Sequence, residues 1–342
     1  MGTAVRYFKR ALAALALVLL IMLAALFIYT RTRSFNGLLR AKLTSYMTET
    51  YRGEITLERI NAPLFGGATL DQVVIRYQHA EVARIARVRV GYSILPLLWG
   101  AVHLRVEVFK PAINLSRDRN GQWNLLEALS PKIPSTSGPS TMSIHLDSVD
   151  VRDALIEVAP DGPHGARYRL NNAAVELRAT ILPSGTRVSI SQLATQIGTP
   201  GFPAAAAEGS LTYQDVSAPA SVEISHFNLS TQDSMISLTG TLSNFDQMNV
   251  DAELTLNKLA AADLAQVFPD YKINRDLTGA LTLKGRWRAL HAGLALAAGN
   301  ARLGAQVLAD LTAKAPRYDA KVTLANLNAR TLLGAAYPSG LI

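Results

Sequence analysis

The side chains that could carry out chemistry are few, and they lie far apart along the chain. The six histidines are isolated, and none has a second histidine four residues later, as a zinc-binding helix face would need. The chain also contains no HExxH, GxSxG, P-loop or GxGxxG motif. We therefore expect a protein that is not an enzyme, with no catalytic residues, no metal site and no cofactor. The histidines are expected on strand faces or at the surface: His79, His103, His145, His164, His226 and His291.

Three aspartates come closest to a cation-binding pattern. Asp147, Asp150 and Asp153 are evenly spaced, but they lack the glycine and the terminal glutamate of an EF-hand loop. Solvated positions on a strand are therefore the favoured interpretation. The chain has no cysteine, which removes disulfides, thiolate zinc ligands and thiol catalysis from consideration.

The net charge of +8 raises the question of a nucleic-acid partner. Lysine and arginine are scattered singly, without the runs interleaved with aromatic residues that such binding needs, so no nucleic acid is expected. Several basic residues instead flank one hydrophobic segment, where they suit contact with anionic lipid headgroups. They are Arg6, Lys9 and Arg10 before the segment and Arg31, Arg33, Arg40 and Lys42 after it.

The hydrophobic segment itself predicts a membrane anchor within residues 1–30. Residues 11–29 read ALAALALVLLIMLAALFIY, without a charge or a proline. At about 1.5 Å per residue, such a helix crosses about 30 Å of hydrocarbon. The small residues of a signal-peptide cleavage site do not follow it, so the anchor is expected to remain uncleaved. Both flanks are basic, but long C-terminal domains translocate largely regardless of nearby charge, which favours export of the following domain.

An amphipathic helix is predicted directly after the anchor, over residues 34–51. Six apolar or aromatic residues recur near helical spacing, with basic residues between them: Phe35, Leu38, Leu39, Leu43, Tyr46 and Met47. Such an apolar stripe serves equally well to lie on the bilayer or to cap the core of the next domain. Both interpretations remain open at this point.

After Gly53 the sequence changes to short β-rich runs separated by Gly, Pro, Asn and Asp. Val88 and Val90 alternate with arginines, and the apolar residues from Leu104 to Val108 alternate with Arg105 and Glu107, which gives each strand one apolar and one polar side. Residues 249–259, NVDAELTLNKL, show the clearest alternation. Helical patterns are confined to residues 123–129 and 259–268. Residues 93–100, SILPLLWG, read as a loop or helical turn, with Trp99 in the core or at the membrane interface.

The chain is predicted to divide at a linker over residues 131–141. The stretch from Ser130 to Thr141, SPKIPSTSGPST, is rich in Ser, Pro and Thr and has no periodicity. One β module is therefore expected over residues 31–130, together with the amphipathic helix. A second, repetitive β region is expected over residues 142–342.

So few helices cannot cover a large sheet, and its apolar side must therefore pack on another sheet, close on itself or bind hydrocarbon. Periodicity alone does not distinguish a core from a lipid-binding groove. The candidate groove residues are Val88, Val90, Leu104, Val106, Val108, Ile113, Leu115, Ile144, Leu146, Val250, Leu254 and Leu256.

The order of these segments resembles the AsmA-like family of bacterial envelope proteins, the AsmA, TamB and YhdP type with a chorein-like N-terminal module. The resemblance rests on the anchor, on GEITLERI, on PLFGGATLDQVVIRY and on the segment from RVRVGYSILPLLWG to RNGQWNL. DLTGALTLKGRW and DLTAKAPRYDAKVTLANLNARTLLG are similar to its strand repeats. In the most specific stretch a strand ends at Lys110-Pro111, an apolar strand follows over residues 112–115, and a turn comes next. Its positions are Lys110, Pro111, Asp118, Gly121, Trp123 and Asn124.

The resemblance implies a mainly β fold: an elongated, curved antiparallel sheet, shaped like a taco, behind an N-terminal transmembrane helix. It also implies a location in the bacterial inner membrane with most of the chain in the periplasm. The expected partners are membrane phospholipids, whose acyl chains would be carried in the groove toward the outer membrane. Outer-membrane or periplasmic proteins are further candidate partners.

A second hypothesis from a different class is a scaffold that assists outer-membrane protein assembly or export. It would act by pairing an exposed strand edge with a client. This hypothesis predicts a closed core, either two sheets packed face to face or a helical cap over the apolar side. The lipid hypothesis predicts an apolar stripe left open.

Overall fold

The computed structural model describes most of the chain after the predicted anchor. The described residues are 32–63, 67–93, 96, 99–117, 121–133, 142–160, 167–198, 202–216, 219–268, 274–312 and 317–326. The predicted anchor at residues 11–29 lies outside them. Within the described part, no helix is both long enough and apolar enough to cross a membrane.

The described chain is mainly β, with fifteen strands and three helices. The helices are α1 (Arg33–Thr50), α2 (Asn124–Leu129) and α3 (Ala261–Val267). The first five strands are β1 (Glu54–Asn61), β2 (Ala68–Tyr77), β3 (Ala80–Ser93), β4 (Ala101–Ser116) and β5 (Ser143–Ala159). The next five are β6 (Tyr168–Leu182), β7 (Gly185–Gly198), β8 (Ala205–Gln214), β9 (Ser221–Ser230) and β10 (Met235–Ser243). The last five are β11 (Asn249–Leu259), β12 (Leu277–Arg286), β13 (Ala289–Ala298), β14 (Ala301–Asp310) and β15 (Arg317–Ala325).

All fifteen strands form one open sheet, in which their spatial order follows their order in the chain. Every neighbouring pair is antiparallel except β4 and β5, which are parallel. A parallel pair needs a connection that returns along the sheet, and here α2 and the residues after it make that return. The expectation of a purely antiparallel sheet is therefore wrong at this one pair. The sheet also runs without interruption across the segment predicted to be a linker.

Helix α1 packs on the sheet, which decides between its two predicted roles in favour of the cap. The hydroxyl of Thr32 accepts a hydrogen bond from the Phe35 N–H at 3.3 Å and so caps the first turn. Leu39, Leu43 and Met47 then lie against the buried core of the first strands. The opposite side of the helix is exposed.

The closed core lies between strands β1–β3 and the two helices α1 and α2. Helix α2 approaches closely because residue 53 is glycine: a Cβ atom there would lie 2.9 Å from the Cβ of Ala128. The Gly53 N–H donates to the Ala128 carbonyl at 2.8 Å. The buried residues are Ile55, Leu57, Ile60, Val73, Ile75, Ala83 and Ala128.

Strand β4 continues through Lys110 and Pro111, where the sequence had suggested that one strand ends and another begins. Lys110 adopts φ +49°, a left-handed conformation, but the pairing of β4 with β3 and with β5 keeps its register across this residue. Pro111 is buried and pairs with Ile85 of β3. One strand therefore continues where a break was predicted. The helices predicted over residues 123–129 and 259–268 are present as α2 and α3, and Trp99 is 77% exposed rather than in the core.

Candidate apolar binding face

The register of the sheet brings the apolar residues of all fifteen strands to one side. Directly paired residues of neighbouring strands point to the same side of a sheet. Starting from Val106, the pairs connect one residue per strand in a single row across β4–β15. That row is Val106, Val149, Leu177, Ile190, Leu211, Ile224, Gly240, Ala252, Leu283, Ala292, Val307 and Ala320. We call the side that carries this row the apolar face and the other side the polar face.

All twelve candidate groove residues lie on the apolar face. Val88 pairs with Val108, and Val90 pairs with Val106. Leu104 pairs with Leu146 across the parallel junction. The remaining candidates occupy equivalent positions, by the same pairing: Ile113, Leu115, Ile144, Val250, Leu254 and Leu256. Their two groups, which are far apart in the sequence, thus belong to one continuous surface.

Sequence reasoning missed the stretch of this face that joins the two groups, as well as its extension to β15. Strands β6–β10 contribute residues such as Leu177, Leu193 and Leu238, and strands β12–β15 contribute Leu281 and Leu294. Alternation within each strand would have identified them one strand at a time. Register shifts at several pairs break that alternation, so the link between strands is visible only in the structure.

The apolar face is closed at its beginning and open further along. Val88 and Ile113 pack against the helix-covered core. Beyond β4, the buried residues of the face are mostly small, and the large aliphatic side chains such as Leu146 and Leu254 remain half-buried. Among the described residues, the extensive contacts are those between neighbouring strands, of α1 with β1, and of α2 with β2, β3 and β4. No second sheet covers β5–β15 within the described part of the chain.

The polar face carries the ionic interactions of the sheet. Arg87 lies 2.7 Å from Asp71, and Arg169 lies 2.6 Å from Glu157, in both cases across neighbouring strands. A hydrogen bond from Arg84 lowers the pKa of Glu81 below its usual value. None of the paired positions on the apolar face is charged. The two sides of the sheet therefore differ sharply in polarity.

The residues of the sequence motif form a structural corner at the end of β4. Gly121 adopts φ +79°, which favours glycine, and Arg117 pairs with Trp123 and lies over its ring at 4.7 Å. The side-chain oxygen of Asn124 accepts from the Ser116 N–H at 3.0 Å, and its amide donates to the Asn114 carbonyl at 2.8 Å. This corner ties α2 to β4. Asp118 lies outside the described residues.

The histidines and aspartates do not converge on one point. His103 stacks on His145 with ring centroids 4.5 Å apart, and its Nδ1 lies 3.0 Å from Asp147. Asp150 instead contacts Arg152. No group of three metal-ligating side chains occurs in the described ranges. His164 lies outside them.

A partly open pocket, which we call the cavity, lies on the apolar face beneath α3. Its volume is about 340 Å³, and its lining is almost wholly apolar. Six successive strands contribute one residue each to its wall. These are Tyr168, Ile197, Ala205, Leu229, Ile236 and Leu259.

No protein-family model matches the chain, and no curated protein matches it.

Proposed function

We propose that this protein is a non-catalytic lipid carrier of the bacterial envelope, anchored in the inner membrane with most of its chain in the periplasm. Its apolar face would form a curved groove that holds phospholipid acyl chains and passes them toward the outer membrane. The observation that carries the proposal is the continuous apolar face, which is uncharged at its paired positions and open beyond β4. The sequence resemblance to the AsmA-like family supports the same function.

Such a face needs no chemical step in order to move lipid. Burial of each methylene group is worth about 0.8 kcal/mol relative to water, and a bilayer interior supplies the same gain. An acyl chain that leaves a bilayer for the face therefore exchanges one apolar environment for another. A row that spans twelve strands offers many equivalent positions along the way. Movement along the sheet then costs little at each step.

The competing scaffold function has one observation in its favour. Strand β15 lies at the end of the sheet, and all nine of its residues are exposed. An edge strand has unpaired backbone groups that can pair with a strand of another protein. The closed core that the scaffold hypothesis predicts is limited to β1–β4 in the described chain, which is why lipid carriage is preferred.

Photocrosslinking in living bacteria tests the proposal on the full chain. Benzoylphenylalanine is placed at position 254 on the apolar face or, as a matched control, at position 255 on the polar face of the same strand. With radiolabelled phosphate in the medium, irradiation should attach labelled phospholipid at position 254 and not at position 255. Val106→Asp, placed elsewhere on the face, should weaken that labelling because it puts an unpaired charge in an apolar surface.

Two results would count against lipid carriage. Equal labelling at positions 254 and 255 would show nonspecific contact with membranes, and no phospholipid at position 254 would remove the proposal. A crosslink between β15 and an outer-membrane protein, without any phospholipid on the apolar face, would favour the scaffold instead.

A further inference from the structure

The cavity beneath α3 differs from the rest of the apolar face because it has a lid. Leu264 and Val267 of α3 face the sheet, opposite Leu229 and Ile236. Leu264 is buried, whereas Phe202 and Phe268 are each 51% exposed at the margin of the cavity. The space is thus walled by strands below, partly covered by a helix above and flanked by aromatic rings.

Polar contacts hold α3 in its position above the sheet. Asp263 of α3 is buried and accepts hydrogen bonds from the hydroxyls of Ser234 and of Thr231, the latter at 2.5 Å. The Ser234 hydroxyl in turn accepts from the Ala260 N–H at 2.9 Å. At the start of the helix, Asp276 accepts from the Ala261 N–H at 3.0 Å. These bonds satisfy the polar groups among themselves and keep α3 from collapsing onto the strands.

The size and lining of the cavity define the class of ligand. A volume of about 340 Å³ lies at the lower end of the range of about 300–1,000 Å³ typical of small-ligand pockets. An almost wholly apolar lining favours apolar ligands, because their binding removes apolar surface from water. Ile236 also pairs with Leu256, so the cavity continues directly into the open part of the apolar face.

From this arrangement we infer that the cavity beneath α3 binds the terminal part of a single hydrocarbon chain, and so forms a fixed holding point on the apolar face. The inference rests on the proposed function, which makes a phospholipid the source of that hydrocarbon chain. The lining of the cavity offers almost no polar surface to a headgroup. The rest of the lipid would lie on the open face beside it.

The test uses the full chain reconstituted into vesicles of phosphatidylethanolamine and phosphatidylglycerol. The vesicles contain a phospholipid with a diazirine on the last carbon of one acyl chain or, in a second preparation, on the carbon next to the carboxyl group. After irradiation, peptide mapping should find the terminal probe on residues 229–236 and 261–268. The carboxyl-proximal probe should label these peptides at least about tenfold less, a factor that corresponds to about 1.4 kcal/mol.

Filling the cavity provides the decisive comparison. Ile236→Trp fills it from the strand side, Val267→Trp fills it from the lid, and Thr239→Trp adds the same ring to the polar face of β10 as the matched control. Terminal-probe labelling at the cavity should fall at least about tenfold in the first two variants, because the indole takes the space, and stay unchanged in the third. Melting curves identify any variant that is misfolded. If one of the two filling variants misfolds, the other still gives the comparison.

The outcomes separate this inference from the proposed function. Cavity labelling that survives both filling variants overturns the inference, and so does labelling confined to the open face of β11–β13, which leaves lipid carriage intact. If a terminal-diazirine fatty acid labels the cavity and the phospholipid labels nothing, the hydrocarbon site stands and phospholipid carriage fails. No labelling with any probe overturns both.

Discussion

The two ends of the apolar face use the same strand pattern in different ways. In β1, Ile55 and Leu57 alternate with polar residues and are buried beneath α1 and α2. In β11, Val250, Leu254 and Leu256 alternate with polar residues in the same way, yet Leu254 and Leu256 are only half-buried. The strands are alike, and the covering helices make the difference.

This contrast shows that a covering element, more than strand sequence, converts an apolar sheet side into a core. The region around α3 is intermediate, because a seven-residue helix covers the margin of the face without filling the space below it. Helix α1, which has 18 residues, lies directly on its strand and leaves a packed interface. The chain thus contains a closed core, a lidded cavity and an open face on the same side of one sheet.

The largest effect is expected when one leucine of the closed core and one leucine of the open face are truncated. Leu57→Ala should destabilise β1–β3 by about 2–5 kcal/mol, because it leaves a hole in a closed core. Leu254→Ala should cost less, about 1 kcal/mol, since that side chain is only partly buried before the change. Hydrogen exchange of the detergent-solubilised chain, read by mass spectrometry, reports the opening free energy of each region. Equal losses would mean that the face of β11 is a closed core as well.

Strand alternation made the groove residues predictable because it is a local property. Val250, Leu254 and Leu256 share a face for the same reason that Val106 and Val108 do, namely the two-residue period of a strand. The helical spacing of Leu39, Leu43 and Met47 predicted α1 equally well. Local patterns such as these do not depend on which strand lies beside which.

Features that depend on distant parts of the chain were not predictable. The left-handed conformations of Asp153 and Asn172 coincide with register shifts in β5 and β6, and the sequence does not indicate which of its many Asp and Asn residues adopt them. The parallel pairing of β4 with β5 depends on how α2 returns across the sheet. The α3 cavity depends on a hydroxyl of Ser234 meeting a carboxyl group 29 residues later. Each requires knowledge of a partner far away in sequence.

A smaller effect is expected at the corner that holds the covering helix α2 in place. Asn124→Ala removes the acceptor of the Ser116 N–H and the donor to the Asn114 carbonyl, and should cost about 1–2 kcal/mol. Faster hydrogen exchange should follow in α2 and at the end of β4. Asn228→Ala is the matched control, because the Asn228 amide makes an exposed bond of 3.3 Å to Glu208 on the polar face. An effect of Asn228→Ala as large as that of Asn124→Ala would contradict a special role for the corner.

The smallest expected effect is a pH dependence of hydrogen exchange in α3, the helix over the cavity. A hydrogen bond from the Ala261 N–H lowers the pKa of Asp276 below its ordinary value of 3.8. A carboxyl group whose pKa is lower in the folded state stabilises that state above the unfolded pKa, and this contribution disappears as the pH falls through the folded pKa. Hydrogen exchange in α3, corrected for the intrinsic rate, should therefore accelerate below pH 3.8, and Asp276→Asn should abolish this dependence. The pKa of Asp310 is lowered by Thr312, far from α3, so Asp310→Asn should leave the response of α3 unchanged. The same pH profile of exchange in wild type and Asp276→Asn would show that the Asp276 contact does not hold α3 in place. The hydrogen bonds of Asp263 with the hydroxyls of Thr231 and Ser234 would then be the polar contacts that hold it.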